Sequence, residues 1–184
     1  MKKNSTKFNN HTKVALHELC IAHKNFSDFS KNQKHITINN EKKDKFLYYQ
    51  AYAEFIRSLF EYYKSLIEWN NTLGYDTIKD IDEFINDAAQ RLMNFYEPIK
   101  DSLEHKKHTI VPNSFGSDFR YVRNKISHVD FKRIENDKIS LSLFYKKYHY
   151  YVKLMVEHAY QSWNGDYTQY SESHIENFVS TTTI

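Results

Sequence analysis

At 184 residues, 40% of them hydrophobic and 27% charged, the chain is long enough to bury a core and is composed like a folded domain. Three glycines and two prolines are too few turn residues for a sheet-rich fold of this length, so long helices with few connections are expected. A net charge of +3 is compatible with nucleic acid without requiring it, and the single cysteine, Cys20, excludes an internal disulfide and the usual zinc frameworks.

The one cysteine makes a reducing, cytoplasmic compartment the default. The basic start "MKKNSTKFNNHTK" is not followed by an apolar stretch, so no signal peptide is expected. No run approaches the roughly 20 apolar residues of a membrane helix. The 15 tyrosines and 13 phenylalanines suit half-buried helix seams and subunit contacts, because a tyrosine buries its ring while its hydroxyl stays bonded or wet.

In chain order, residues 1–11 read as a loose tail. Val14, Leu16, Leu19, Ile21, Ala22 and Phe26 then recur in three- and four-residue steps, predicting a first helix. The polar stretch 27–45 reads as a connecting loop, with a short extended piece at 36–38. Over 44–70, Phe46, Tyr49, Tyr52, Ala53, Ile56, Leu59, Phe60, Tyr63, Leu66 and Ile67 mark a long amphipathic helix. Gly74 and Asp76 punctuate it as a turn.

A second long helix is predicted over 78–104, with Pro98 kinking or breaking it. "HKKHTIVPNSFG" reads as a basic loop ended by Pro112 and Gly116, and Ser117 as the N-cap of the next helix with Asp118 in its first turn. Residues 131–142 read as a small hairpin or an extended linker. A last helix spans 143–163, and 165–184 is a polar tail. The expected fold is a single all-α domain, a helical bundle of two long antiparallel helices, 44–70 and 78–104, with shorter ones packed across them.

The helix opened by "SDFRYVRNKISHVD" carries the chemistry. At about 100° per residue, Phe119, Val122, Ile126 and Val129 fall within an arc of roughly 80° and form the buried stripe. Arg123, Ser127, Arg120, Asn124 and His128 spread over a separate arc of roughly 140°, with Arg123 nearest the stripe. Such charges are by default a solvated face.

The spacing argues for more. "RNKISH", Arg123 to His128, has an arginine, a polar residue, three variable residues and a histidine. Together with the upstream "FRYV" and its place late in a helical chain, it resembles the motif of the HEPN superfamily of helical nucleases, over most of residues 12–163. The resemblance implies a metal-independent, cofactor-free endoribonuclease, a toxin or phage-defence effector, in which the ribose 2′-OH attacks and a cyclic phosphate results. It assigns catalysis to Arg123 and His128, and a homodimer in which two such helices face each other.

The residue types suit that chemistry. His128 can transfer a proton near neutral pH, and Arg123 offers a permanently charged fork for phosphate oxygens. Asn124, one turn before His128, can orient its ring, and Arg120 can add a second phosphate contact. Ser127 shares the polar arc. RNA is the expected partner, with an antitoxin or defence-system protein besides. Asp130 stands where some toxins of the superfamily carry a tyrosine modified by a partner nucleotidyltransferase. The alternative is a non-catalytic helical binding or dimerisation module.

Elsewhere, His17, Cys20 and His23 recur every three residues, but such steps drift around a helix and no fourth ligand is evident. His105 and His108 read as part of the basic loop.

Overall fold

Between residue 1 and Leu73 the chain contains no glycine and no proline, the two residues least tolerated inside a helix. The computed structural model describes residues 2–39, 42–73, 80–95, 102–127 and 139–163. Their elements are α1 (Lys2–Asn39), α2 (Lys42–Leu73), α3 (Ile81–Phe95), α4 (Leu103–Lys107), α5 (Phe115–Ser127) and α6 (Leu141–Ser162), with no strand among them. The protein is an all-α helical bundle. No described helix is long and apolar enough to cross a membrane.

The long pair is α1 and α2, which corrects the expected pairing of 44–70 with 78–104. Helix α1 begins at Lys2, ahead of the predicted start, and continues through the polar stretch read as a loop, including the supposed extended piece at 36–38. Its described inner face recurs at Ala15, Leu19, Ala22, Phe26 and Phe29. Beyond Phe26 the deeply buried ring of Phe29 continues that face. The Lys24–Asp28 ion pair and a hydrogen bond from Ser30 Oγ back to the Phe26 carbonyl support the outer turns. Val14, assigned to the inner face from its spacing, is 52% exposed.

Helices α1 and α2 run antiparallel along an aromatic seam. Phe29 meets Tyr48 and Tyr52, and three residues earlier Phe26 meets Phe55 further along α2. Rings at 4.5–5.1 Å in these contacts pack in offset and tilted geometries that add to plain area burial.

The second half of the chain closes over α2. Helix α3 is shorter than predicted, ending at Phe95, and the expected Pro98 kink lies outside the described residues. Helix α6 starts two residues earlier than predicted, where Ser140 caps it by accepting from the Leu143 N–H. Its first turn therefore takes Leu141 and Ser142 from the end of the proposed hairpin, and residues 131–138 lie outside the described residues. Phe115 and Phe119 of α5, Phe60 of α2 and Phe144, Tyr148 and Tyr151 of α6 form the centre of the core.

"HKKH" is not the basic loop its composition suggests. It lies on and just after α4, whose cap Ser102 accepts from the His105 N–H. His105 is buried beside the Tyr150 hydroxyl, and His108 stacks on the Tyr150 ring at 4.6 Å. Alternation of His and Lys concealed that the histidines point inward and the lysines outward.

Candidate functional site

Helix α5 is short, and its place depends on what grips its N-terminal end. Two amides of α3 do much of this. Asn86 donates to the Asn113 carbonyl and accepts from the Gly116 N–H, while Gln90 donates to the Thr109 carbonyl and accepts from the Val111 N–H. Both side chains therefore saturate the backbone of the segment leading into α5, which lacks a helical ladder to do so. The helix begins at Phe115, so Ser117 lies inside its first turn and donates back to Ser114 instead of capping.

From the other side, the Tyr148 hydroxyl donates to buried Asp118 at 2.7 Å and shares a 2.9 Å hydrogen bond with Ser114. Burial and the neighbouring Asp118 carboxylate push the Tyr148 phenol up to about 12, so it stays a donor at any ordinary pH. Tyr148→Phe is expected to lower stability by roughly 1–3 kcal/mol by leaving that carboxylate short of a partner. Urea denaturation measures it; an unchanged midpoint would mean that Asp118 does not depend on Tyr148.

The buried stripe is as the spacing predicts where it is described. Phe119 and Val122 are buried and Ile126 partly so; Val129 lies outside the described residues. The polar side is more tied down than a solvated face. Arg120 makes a bidentate pair with Asp82 of α3, through Nε at 2.9 Å and Nη2 at 2.8 Å. It ties α5 to α3, with Nε and Nη2 both turned to Asp82.

Arg123 is held more closely. Its Nη2 donates to Glu61 of α2, its Nη1 donates to Asn124 Oδ1 at 2.9 Å, and its guanidinium lies over the Phe60 ring at 5.7 Å. The side chains of Arg123 and Glu61 are 23% and 18% exposed, a partly desolvated pair in which charge compensation is worth more than at the surface. Asn124 thus spends its oxygen on Arg123, where the sequence suggested His128. Ser127 is exposed at the end of α5, and His128 lies outside the described residues.

Beside this pair lies a cleft of about 360 Å³ between α2, α3 and α5. Arg120, Arg123, Asn124 and Lys64 line it together with Glu68 and the apolar Phe60, Ile67 and Ile81. Behind Glu61 the polar layer continues into α1. Arg57 pairs with Glu54 at 2.8 Å and bonds to Ser58, and it feels the charges of Glu18 and Glu61 as well. Burial raises the Glu18 carboxyl above its ordinary range, against the lowering pull of Arg57.

The sequence reading therefore identified three of the residues brought together here, Arg120, Arg123 and Asn124, and missed Glu61, Asp82 and Lys64. Glu61 and Arg123 stand 62 positions apart, on different helices, so no local pattern links them. His17, Cys20 and His23 do not come together as a ligand set. His23 stacks face to face on Tyr160 at 3.6 Å, and no metal-ready cluster of three donors occurs among the described residues.

No protein-family model matches the chain, and no curated protein or solved structure matches it.

Proposed function

We propose that the protein is a metal-independent endoribonuclease of HEPN type, acting on RNA as a toxin or defence effector through Arg123 and His128. The observation that carries this reading is the placement of Arg123. It sits at the wall of a cleft, beside the stripe of α5 that is packed in the core, five residues before a histidine.

In this reaction the RNA supplies its own nucleophile, the ribose 2′-OH, which DNA lacks. Oxygen attacks the adjacent phosphorus, the bond to the 5′-oxygen breaks, and a 2′,3′-cyclic phosphate is left. The phosphorane gains negative charge on the way, and a fixed guanidinium stabilises it without reorganising. His128 takes the proton from the 2′-OH or gives one to the leaving 5′-oxygen, and water carries the other transfer. One motif per chain supports a homodimer that presents two copies to one RNA, with an antitoxin or other defence protein as regulator.

Incubating the purified protein with mixed cellular RNA in the presence of chelator tests the reading. Arg123→Ala and His128→Ala should each lower cleavage by about a hundredfold or more. Cleavage as fast in either variant as in the unmodified chain would sink the assignment.

A second reading rests on the Arg123–Glu61 pair itself. In a helical binding or dimerisation module, Arg123 would simply pin α5 to α2. That reading expects no RNA turnover by any version of the chain.

A further inference from the structure

The proposed reaction asks Arg123 to meet a phosphate, yet its charge is already matched inside the fold. Its end is bonded on two sides, by Glu61 from α2 and by the neighbouring Asn124. Its face lies against Phe60, and its Nε is buried with no hydrogen-bond partner among the described residues. A guanidinium has five N–H donors, so those two bonds still leave donors on the terminal nitrogens for an anion in the cleft.

What the contacts remove is freedom. An arginine loses much rotamer freedom when it is ordered, and fixing it before substrate arrives spares the reaction that ordering. Glu61 is well placed to do the fixing because it is itself confined. It projects from the middle of α2, between core residues Phe60 and Tyr62, and its carboxylate neighbours Arg57, one turn earlier. Arg57 in turn is paired with Glu54, so the anchor of Arg123 reaches back through α2 to α1 and Glu18.

Resting on the ribonuclease reading above, we propose that Glu61 is a positioning residue of the active site, holding the Arg123 guanidinium at the cleft wall in the orientation that meets the scissile phosphate. It does not touch the RNA; it acts through Arg123.

The test compares Glu61→Gln and Glu61→Asp with the unmodified protein. The glutamine keeps the shape and loses the charge, and thermal melting of each variant confirms that it folds. Cleavage kinetics on an RNA oligonucleotide should show kcat down roughly ten- to a hundredfold in Glu61→Gln with KM within about twofold, and partial recovery in Glu61→Asp. A merely structural salt bridge would change the melting temperature and leave kcat in place.

A second arm needs no turnover. In side-chain NMR spectra of 15N-arginine-labelled protein, rotation of the Arg123 terminal nitrogens should be slow in the unmodified chain and fast in Glu61→Gln. Equal restraint in both proteins overturns the assignment, as does normal kcat in Glu61→Gln when Arg123→Ala is inactive. Cleavage that survives Arg123→Ala defeats the ribonuclease reading instead, and the NMR arm then decides whether Glu61 holds Arg123.

Discussion

Gly116→Ala is expected to destabilise the protein by about 3 kcal/mol, or to prevent folding outright. A methyl group at this position would stand 2.2 Å from the Asp82 carbonyl oxygen and 2.7 Å from its Cα. Both are backbone atoms of the first turn of α3, so neither can rotate aside as a side-chain tip would. The same approach lets the Gly116 N–H reach Asn86 at 2.8 Å and Arg120 reach Asp82. Moving α5 outward to make room breaks these contacts together. Chemical denaturation measures the loss, with Ser117→Ala as an exposed neighbour expected to stay within about 0.5 kcal/mol. A Gly116→Ala midpoint as high as that of the control would show that α3 and α5 do not meet this closely.

A comparable effect is expected from acid, through His149. Its ring is boxed by Tyr145 at 4.4 Å, Tyr52 at 5.6 Å and Phe29 at 5.7 Å, and Nδ1 is buried with no hydrogen-bond partner among the described residues. Burial first, and the charge of Lys153 second, lower its pKa to about 4 from 6.5. The unfolded chain therefore takes up this proton before the folded one does, and stability falls as pH drops from about 6.5 towards 4, by roughly 3 kcal/mol in the limit. Above that window the histidine contributes no slope.

Burial raises the carboxyls of Glu18 and Glu157, which act in the opposite sense, so the whole-protein curve mixes signs. The difference between the unmodified chain and His149→Phe isolates the histidine. Phenylalanine fits an aromatic box and leaves no polar atom stranded. His149→Phe should be at least as stable at pH 7 and increasingly more stable below pH 6. Parallel stability curves for the two proteins between pH 7 and 4 would refute the assignment.

Much of the bundle was legible in the sequence because helices announce themselves by period. The stripe of Phe119 and Val122 is buried as its spacing indicates, and so are Tyr52, Ala53, Ile56, Leu59, Phe60 and Tyr63 of α2, whereas Phe46 and Tyr49, assigned to the same face, are 64% and 58% exposed. What misled was polarity taken as irregularity. Residues 27–39 look like a loop because their sequence is mostly polar, yet they are helical, with Phe29 buried and no glycine or proline to interrupt the helix. The same polarity concealed the role of Asn86 and Gln90, whose partners are backbone groups and leave no trace in side-chain pattern.

At the candidate site the periodicity placed Arg123 correctly beside the apolar stripe. It could not show that Glu61 would reach it, since a pair between distant helices is set by packing and not by spacing. Arg120 illustrates the same limit: its neighbours in sequence suggest an unpaired cation, whereas Asp82 pairs with it.

The α1–α2 seam has a further consequence for how the chain finds one fold. Rings facing rings are forgiving: Phe26 and Phe29 would find other aromatic partners if α1 slid along α2 by a turn, since Tyr48, Tyr52 and Phe55 recur at helical spacing. The layer of Glu18, Arg57, Ser58 and Glu61 is not forgiving. A one-turn slip would move Glu18 away from Arg57 and Ser58 and leave a half-buried carboxylate against apolar neighbours. The aromatic residues thus hold the two helices together, while a few charged ones choose the single alignment in which they stop sliding.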